Sequence, residues 1–415
     1  MAKGGDRVIV GGAEVLHRIP ILRRFCDLAM KEGTRPRLGI LASATARPEA
    51  EFRKLQAWFA ELELELEPLV LLEVSSQVPG WEQGARDPAQ VGLVEELAGL
   101  WVPGGDQNQT LALLREPEGA DTPLLAAIRR RAALPAAGGG LVLGGTSAGA
   151  AVMSDPMIGG GTSFGALALS RAAAAGRAEM SPALWVSPGL GLFDEGMIDQ
   201  HFDSRARLGR LVEAALVEDG ARRLAFGIDE ATALVREGRT GRLSVVGAGG
   251  VTIVDVREAR RDFVPLRGGP RLRVRGVHLS YLTEGDSFDP VSETIDFGRK
   301  EAIAPGDGSF ASPRPEASGI FSPYGCFASF AARMLLDNDP GLLFREEGTG
   351  RGYARSLMVE DLAVPGRSAQ PLAWEIRLLR GSEGREASLH YDGHYSFTGI
   401  DLDILPIEVQ ITRSA

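Results

Sequence analysis

The sequence predicts an α/β fold: a doubly wound, mostly parallel sheet with helices on both faces, followed by a C-terminal extension of α+β or β-rich type. Short β-branched runs alternate with amphipathic helical stretches from Arg7 to about Ile228, as in parallel sheets whose strands are joined by crossover helices. After Glu230 the strand-like runs are separated by Gly-rich turns instead. These turns predict that antiparallel strands flank the parallel sheet.

The predicted strands of the parallel region are short aliphatic runs, several of which end at Gly, Ser or Thr. They are Arg7 to Val10, Arg37 to Ala42, Pro68 to Val74, Leu100 to Pro103, Leu141 to Gly144, Met197 to His201 and Leu224 to Ile228. The helices between them repeat apolar residues at three- and four-residue spacing. They are predicted over Leu16 to Lys31, Pro48 to Leu64, Gln90 to Leu97, Leu124 to Ala133 and Ser204 to Glu218.

Antiparallel strands are predicted after Glu230, over Thr232 to Arg236, Leu243 to Val246, Val251 to Val256 and Arg271 to Leu282. A Gly/Pro/Ser-rich stretch from Asp286 to about Pro323 predicts a linker or a long surface loop. We therefore expect one domain over residues 1–289 and an accessory domain over residues 290–415. The accessory domain is predicted to contain one helix and three strands: Phe327 to Leu336, Leu372 to Leu379, Glu386 to Tyr391 and Asp401 to Thr412.

Composition excludes several classes of protein. The 415 residues carry a net charge of -10, which disfavours a general affinity for nucleic acid or an anionic membrane surface. No apolar run approaches the roughly 20 residues that a bilayer span requires. The two cysteines, Cys26 and Cys326, match neither a metal site nor a disulfide framework. Since the start shows no signal-peptide pattern, we expect a cytoplasmic enzyme.

The run Leu141 to Ala150 contains the motif G-x-S-x-G directly after a buried-strand pattern. This is the context of a nucleophile elbow, a tight strand-to-helix turn that projects a serine hydroxyl above the sheet. Gly145 and Gly149 allow the turn, and Ser147 is the predicted nucleophile. The alternative is a Gly-rich turn that only packs small residues.

A serine nucleophile needs an imidazole base, and the chain has five histidines. His201 ends a predicted parallel strand, where open α/β sheets gather their active sites. His17 lies on an early helix, His278 on a later strand, and His390 and His394 in the C-terminal extension. His201 is therefore the predicted base, although a histidine at such a position is more often structural.

The base in turn needs a carboxylate that fixes its tautomer. Asp229 and Glu230 follow the next predicted strand, and Asp199 lies just before His201. Spacing alone does not decide which of the three carboxylates faces the imidazole. We favour Glu230, with Asp229 and Asp199 as competitors.

Three arginines, Arg205, Arg207 and Arg210, follow His201. They suit bidentate binding of substrate carboxylates, or they form a solvated helix face. In the loop after Leu100 to Pro103, the N–H of Gly105 could oppose that of Ala148 to complete an oxyanion hole, and Gln107 could orient substrate. Alternatively, this loop serves to place Asp106 as a helix cap.

Six runs, in this order, resemble the cyanophycinases and their relatives the aspartyl dipeptidases, serine peptidases with a class I glutamine-amidotransferase-like fold. They are VIVGGAE, LASATARPE, VPGGDQ, GGTSAGAAVM, IDQHFDSRARLGRL and GIDEATAL, and the resemblance covers roughly residues 7 to 285. It implies a nucleophile at Ser147, a general base at His201 and an orienting acid at Glu230. The substrate-binding positions that it implies are Gln107, Asp199, Gln200, Arg205, Arg207 and Arg210.

The resemblance also implies a substrate. Cyanophycinases cleave cyanophycin, a poly-aspartate whose β-carboxyl groups carry arginines, through an acyl-enzyme and release β-Asp-Arg dipeptides. This mechanism needs no metal or cofactor, and we expect a homodimer. The alternatives are an aspartyl or isoaspartyl dipeptidase of the same family and a catalytically silent ligand-binding relative. An α/β-hydrolase esterase would require the acid before the histidine, unlike the order found here.

Overall fold

The computed structural model describes residues 4–31, 33–135, 138–168, 182–217, 224–266, 269–306, 327–360, 372–381 and 384–408. Over these ranges the chain forms two large β-sheets and a two-stranded one. The helices are α1 (Arg18–Ala29), α2 (Pro48–Ala60), α3 (Pro88–Glu96), α4 (Gln107–Leu114), α5 (Pro123–Ala132), α6 (Ala148–Ala151), α7 (Ser163–Ala168), α8 (Leu208–Val217) and α9 (Phe327–Ser329), which continues as the π-helix Phe330–Leu336.

The predicted parallel strands are all present, each within about three residues of its predicted bounds, whereas β6 and β7 were not predicted. In chain order they are β1 (Arg7–Val10), β2 (Leu38–Ile40), β3 (Val70–Leu71), β4 (Gly99–Val102), β5 (Val142–Thr146), β6 (Met157–Gly160), β7 (Trp185–Ser187), β8 (Met197–Asp199), β9 (Leu224–Ile228), β10 (Thr232–Arg236), β11 (Leu243–Gly247), β12 (Gly250–Asp255), β13 (Arg260–Leu266), β14 (Gly269–Thr283), β15 (Ser287–Asp289), β16 (Thr294–Asp296), β17 (Glu301–Ile303), β18 (Phe344–Arg345), β19 (Gly352–Glu360), β20 (Leu372–Arg380), β21 (Ser388–Tyr391) and β22 (Tyr395–Ile407).

The first sheet contains the predicted parallel core. Its strand order is β16-β15-β11-β10-β1-β5-β4-β2-β3. The strands from β1 to β3 in this order run parallel to one another, and those on the other side of β1 run antiparallel. The predicted antiparallel flank is therefore present in β10 and β11, whereas β12, which was also predicted to belong to it, lies in the second sheet.

Helices cover both faces of the first sheet. Successive side chains of a strand point to opposite faces, so neighbouring residues of β1 pack against different helices. On β1, Val8 and Val10 lie in one buried cluster with Phe25 of α1 and Leu55 of α2. Ile9, between them, lies in a second cluster with residues of α3 and α5. This alternation gives the sheet two separate cores, as a doubly wound arrangement requires.

The second sheet has the order β18-β19-β20-β22-β14-β12-β9-β8, with β13, β17 and β21 paired at its margins. It contains β8 and β9, which the sequence placed in the parallel sheet with β1. They do pair with each other in parallel, but β9 next pairs with β12. The reason is that both edges of β1 are occupied, by β5 and by β10. The chain crosses between the sheets in the short loop that joins β9 to β10.

The chain after residue 289, which we call the C-terminal segment, continues the second sheet. Its strand β22 pairs with β14, and β20 pairs with β22. A buried polar cluster also joins it to the preceding strands. The Lys300 ammonium donates to Asp286 Oδ1 at 2.6 Å, with side chains 1% and 0% exposed. The Ser396 hydroxyl donates to Asp286 Oδ2 at 2.5 Å. The domain boundary at residue 289 stays a prediction, and β15 and β16 pair across it.

The predicted linker from 286 to 323 contains β15, β16 and β17 in its first part. Residues 307–326, which include Cys326, lie outside the described residues. The predicted helix Phe327 to Leu336 is present as α9 and its π-helical continuation. None of the helices in the described ranges is both long and apolar enough to cross a lipid bilayer.

Candidate active site

Ser147 occupies the turn between β5 and α6. Its backbone has φ 53° and ψ −114°, a conformation that side-chain-bearing residues rarely adopt and that often marks functional sites. The turn is held from both sides: the N–H of Ser147 donates to the carbonyl of Val10 at 3.0 Å, and its own carbonyl accepts from the N–H of Ala151 at 2.9 Å. The backbone that carries the hydroxyl is therefore held in place at the carboxyl end of the parallel strands.

The glycines of the motif are required by close packing. A Cβ on Gly149 would lie 2.0 Å from the carbonyl oxygen of Val102, and a Cβ on Gly145 would lie 2.5 Å from the carbonyl oxygen of Gly149. The start of α6 thus packs directly on the end of β4. A larger residue at either position would push Ser147 away from its neighbours.

His201 joins the serine to a carboxylate. Its Nε2 lies 2.9 Å from Ser147 Oγ, and its Nδ1 lies 2.6 Å from Glu230 Oε1. A carboxylate can only accept, so Nδ1 carries the proton and Nε2 is left as the acceptor for the serine hydroxyl. We call these three side chains the Ser-His-Glu row. The arrangement can move a proton from the serine to the imidazole.

Backbone hydrogen bonds bring the two sheets together at this row. The N–H of His201 donates to the carbonyl of Gly11 at 2.7 Å, and the N–H of Ala231 donates to the carbonyl of Gly12 at 2.8 Å. The loop after β1 in the first sheet therefore binds the loops after β8 and β9 in the second. His201 and Glu230 reach Ser147 across this junction.

Gly12 is part of the site, although the sequence analysis gave it no role. Its φ is +99°, and a Cβ there would lie 2.4 Å from Cε1 and 2.5 Å from Nε2 of His201. The imidazole therefore packs on bare backbone. Two consecutive glycines directly after a strand, Gly11 and Gly12, were the available signal.

The electrostatic environment of His201 favours the neutral imidazole. Burial lowers the pKa of His201, and the charges of Arg205 and Arg207 lower it further, against the raising effect of Glu230. Burial alone would raise the pKa of Glu230, but hydrogen bonds from His201 and Ser204 hold it below its usual value. A neutral imidazole beside an ionised carboxylate is the state in which a histidine can accept a proton.

The three carboxylates that the sequence left open have different partners. Glu230 contacts His201. Asp229 accepts a hydrogen bond from the Tyr281 hydroxyl at 2.8 Å, and Asp199 pairs with Arg210 at 2.5 Å. Of the three, Glu230 is the one hydrogen-bonded to the imidazole.

The loop after β4 lies beside the serine. A Cβ on Gly104 would come within 3.2 Å of Ser147 Cβ, and Gly105 has φ +145°. Asp106 caps α4 by accepting the N–H of Asn108. Within the described part of the chain, the backbone N–H groups of Gly105 and Ala148 donate no hydrogen bond, so both are available to an oxyanion.

Two of the predicted substrate-binding residues pair with each other. Arg210 donates from Nε and Nη2 to the two oxygens of Asp199 at 2.7 and 2.5 Å, and their side chains are 6% and 1% exposed. Arg207 donates to the carbonyl of Gln200 and lies 3.4 Å from Asp199 Oδ1. These guanidinium groups are partly or wholly satisfied within the protein.

The other predicted binding residues differ in their partners. Gln107 donates its amide to the carbonyls of Ile158 and Gly159 at 3.0 and 3.3 Å. The side-chain oxygen of Gln200 is buried and has no partner among the described residues. Arg205 is exposed and makes no ion pair with another described residue. Of the predicted binding residues, the exposed Arg205 is thus the one most available to a ligand.

Three curated relatives align with most of this chain. Cyanophycinase from Trichormus variabilis is 34% identical over 290 residues, covering 69% of this chain and 86% of the relative. That from Geminocystis herdmanii is 35% identical over 284 residues, covering 68% and 92%. The chain belongs to the cyanophycinase family. The cyanophycinase from Thermosynechococcus vestitus is 31% identical over 282 residues, covering 68% and 77%.

The family assignment rests on these sequences, since no family model matches the chain. Among solved structures, a peptidase from an acI-B1 Actinobacterium has a TM-score of 0.46 at 23% identity and covers 70% of this chain and 98% of that one. The match to the cyanophycinases leaves about a third of the chain unaligned.

Proposed function

We propose that this member of the cyanophycinase family is a serine peptidase with a class I glutamine-amidotransferase-like fold, and that it cleaves the aspartyl backbone of cyanophycin to β-Asp-Arg dipeptides. The observation that carries the proposal is the Ser-His-Glu row, with hydrogen-bond distances of 2.9 and 2.6 Å. Three side chains in this order form the catalytic triad of serine hydrolases on several unrelated folds.

In the proposed mechanism, Ser147 Oγ attacks a backbone aspartyl carbonyl carbon while its proton passes to Nε2 of His201. The carbonyl electron pair moves to the oxygen, which the N–H groups of Gly105 and Ala148 stabilise. Glu230 holds the imidazolium through Nδ1. The C–N bond then breaks, and His201 gives its proton to the leaving amine.

Water completes the cycle. With His201 again as base, water attacks the acyl ester, the ester bond breaks, and the proton returns to Ser147 Oγ. The lowered pKa of His201 keeps the imidazole ready for both steps at neutral pH. The product carboxylate leaves the site, and the resting row is restored.

The charge of Arg205, close to the Ser-His-Glu row, supports an arginine-bearing aspartyl substrate. Each unit of the polymer presents one carboxylate and one guanidinium. The exposed Arg205 can bind the carboxylate, since a guanidinium and a carboxylate form a bidentate, charge-assisted pair.

The proposal is tested with Ser147→Ala and a matched control, Ser244→Ala, on β11 of the same sheet. We expect Ser147→Ala to lose at least about 1,000-fold of the activity on cyanophycin, together with labelling by a fluorophosphonate probe, while circular dichroism is unchanged. Ser244→Ala should keep both. A Ser147→Ala enzyme that still hydrolyses or labels near the wild-type level would rule out the serine mechanism.

Product analysis tests the substrate. Mass spectrometry of a digest of purified cyanophycin should show β-Asp-Arg. If the polymer stays intact while isoaspartyl dipeptides are cleaved by a labelled enzyme, the chain is a dipeptidase of the same family. If neither is cleaved and no labelling occurs, the chain is a silent binding relative.

A further inference from the structure

A buried tyrosine–aspartate pair lies directly behind the Ser-His-Glu row. The hydroxyl of Tyr281, on β14, donates to Asp229 Oδ2 at 2.8 Å. The two residues are 8% and 7% exposed. Asp229 immediately precedes Glu230, and the mechanism above assigns neither residue of the pair a role.

Asp229 connects the loops that carry the histidine and the glutamate. Its Oδ1 accepts the N–H of Asp203 at 3.2 Å, and Asp203 lies two residues after His201. Its Oδ2 accepts the N–H of Gly250 at 3.1 Å in addition to the Tyr281 hydroxyl. One carboxylate therefore binds the loop after β8, the start of β12 and the C-terminal end of β14, and it belongs itself to the loop after β9.

The tyrosine side of the pair is fixed by the C-terminal segment. The Tyr281 ring stacks on Phe397 of β22 with a centroid distance of 5.6 Å and an angle of 23°. Phe327 of α9 packs edge-on against both rings, at 6.4 and 5.9 Å. The backbone of Phe327 also hydrogen-bonds the carboxyl group of Asp203. The C-terminal segment thus contacts the histidine loop by two routes.

We propose that Asp229 and Tyr281 are positioning residues, which hold the His201 and Glu230 loops in register with Ser147, and that the C-terminal segment completes the hydrolytic site through them. This inference rests on the proposed function. It gives residues beyond 290, which follow the stretch that resembles the family, a role in the hydrolytic site. A displacement of about 1 Å at reacting groups can cost about 100-fold in rate, so the pair is a sensitive point.

The pair also has a distinct protonation behaviour. Burial and the neighbouring Asp203 raise the pKa of Asp229 to about 7, while the hydrogen bonds from Tyr281, Gly250 and Asp203 oppose the rise. The ionised carboxylate accepts all three donors. Protonation replaces one acceptor position with a donor and loosens the connection between the loops.

The test is Tyr281→Phe, which removes one hydroxyl and keeps the ring against Phe397 and Phe327. The control is Tyr353→Phe on β19, a buried tyrosine of the same sheet whose ring stacks on Phe344. We expect Tyr281→Phe to lower kcat by about 10- to 100-fold, with KM within about twofold. The acid limb of the pH–activity profile should move to higher pH. The Tyr281 hydroxyl lowers the pKa of Asp229, so its removal raises that pKa. Tyr353→Phe should leave all three quantities unchanged.

A readout that does not need turnover separates this inference from the proposed function. The titration of His201, followed by NMR of the imidazole nitrogens, should change in Tyr281→Phe and in the isosteric Asp229→Asn, but not in Tyr353→Phe. If wild-type enzyme neither turns over substrate nor labels at Ser147, the proposed function fails while this titration still tests the pair. If kcat, the acid limb and the titration are all unchanged in Tyr281→Phe, the pair is only structural and the inference is wrong.

Discussion

Two histidine–carboxylate pairs lie in different regions of the molecule. His201 and Glu230 meet at the junction of the two sheets, with a nitrogen–oxygen distance of 2.6 Å. His278 and Asp401 are cross-strand partners within the second sheet, at 2.5 Å. Burial lowers the pKa of His201, whereas the hydrogen bond that Nδ1 of His278 donates to Asp401 raises the pKa of His278. The same two side-chain types thus favour opposite charge states.

The neighbours explain the difference. His201 is buried and lies near the charges of Arg205 and Arg207, and both features disfavour an imidazolium. Its Nε2 faces a serine hydroxyl. The Nε2 of His278 lies 3.3 Å from a second carboxylate, that of Glu258. A histidine between two carboxylates is suited to holding strands together as a cation. A carboxylate partner alone therefore does not identify a general base; the other nitrogen and the surrounding charge decide it.

The largest expected contrast between the pairs is in catalysis. His201→Ala should lower kcat by about 1,000- to 10,000-fold, because the serine loses its proton acceptor. His278→Ala should leave kcat within about twofold, since the partners of that imidazole are Asp401 and Glu258, neither of which belongs to the Ser-His-Glu row. Steady-state hydrolysis of cyanophycin by both variants measures the contrast. The reverse result would mean that the base is His278.

The first half of the fold was predictable because its strands are buried by helices on both faces. The bounds of β1, β9 and β10 agree residue for residue with the predicted ones. Each is an aliphatic run between polar or glycine residues, so local pattern and tertiary burial agree. The same pattern does not name a strand's neighbour, which is why β8 and β9 were expected in the first sheet.

The candidate site was predictable only in part. The motif around Ser147 and the end of a strand at His201 are local signals. The choice among Glu230, Asp229 and Asp199 depends on which side chain turns inward, and adjacent positions in a sequence do not show it. Arg210 could not be recognised as the partner of Asp199, because a run of arginines is consistent with a solvated helix or a ligand site.

A smaller contrast is expected from the glycines beside each histidine. Gly12→Ala should lower kcat by about 10- to 100-fold, because the new Cβ would lie 2.4 Å from the His201 ring. Gly276→Ala, two residues before His278, provides the control: its φ of +70° is also positive, but the nearest atom to its new Cβ is a carbonyl oxygen at 3.7 Å.

Alanine is strained at both positions because φ is positive there, so the unfolding temperature Tm should be lower in both variants than in the wild type. Activity at a temperature where each is folded then isolates the steric effect on the imidazole. Equal kcat values for Gly12→Ala and Gly276→Ala would show that the space beside the ring is not important for the reaction.

The smallest expected effect concerns stability and pH. The raised pKa of His278 means that the folded chain binds a proton more tightly there than the unfolded chain does. The resulting stabilisation is complete below the unfolded value of about 6.5 and is lost as pH rises through the folded value. Wild type should therefore lose more stability between pH 5.5 and pH 8.5 than His278→Gln, by about 2 to 4 °C in Tm. Glutamine can still donate to Asp401 but does not titrate.

His394→Gln, which replaces an exposed histidine, is the control for the histidine-to-glutamine change itself. Its curve of Tm against pH should follow that of the wild type. Parallel Tm curves for wild type and His278→Gln would mean that the pair on the second sheet is as indifferent to pH as an ordinary hydrogen bond, and that the contrast with His201 lies in its position alone.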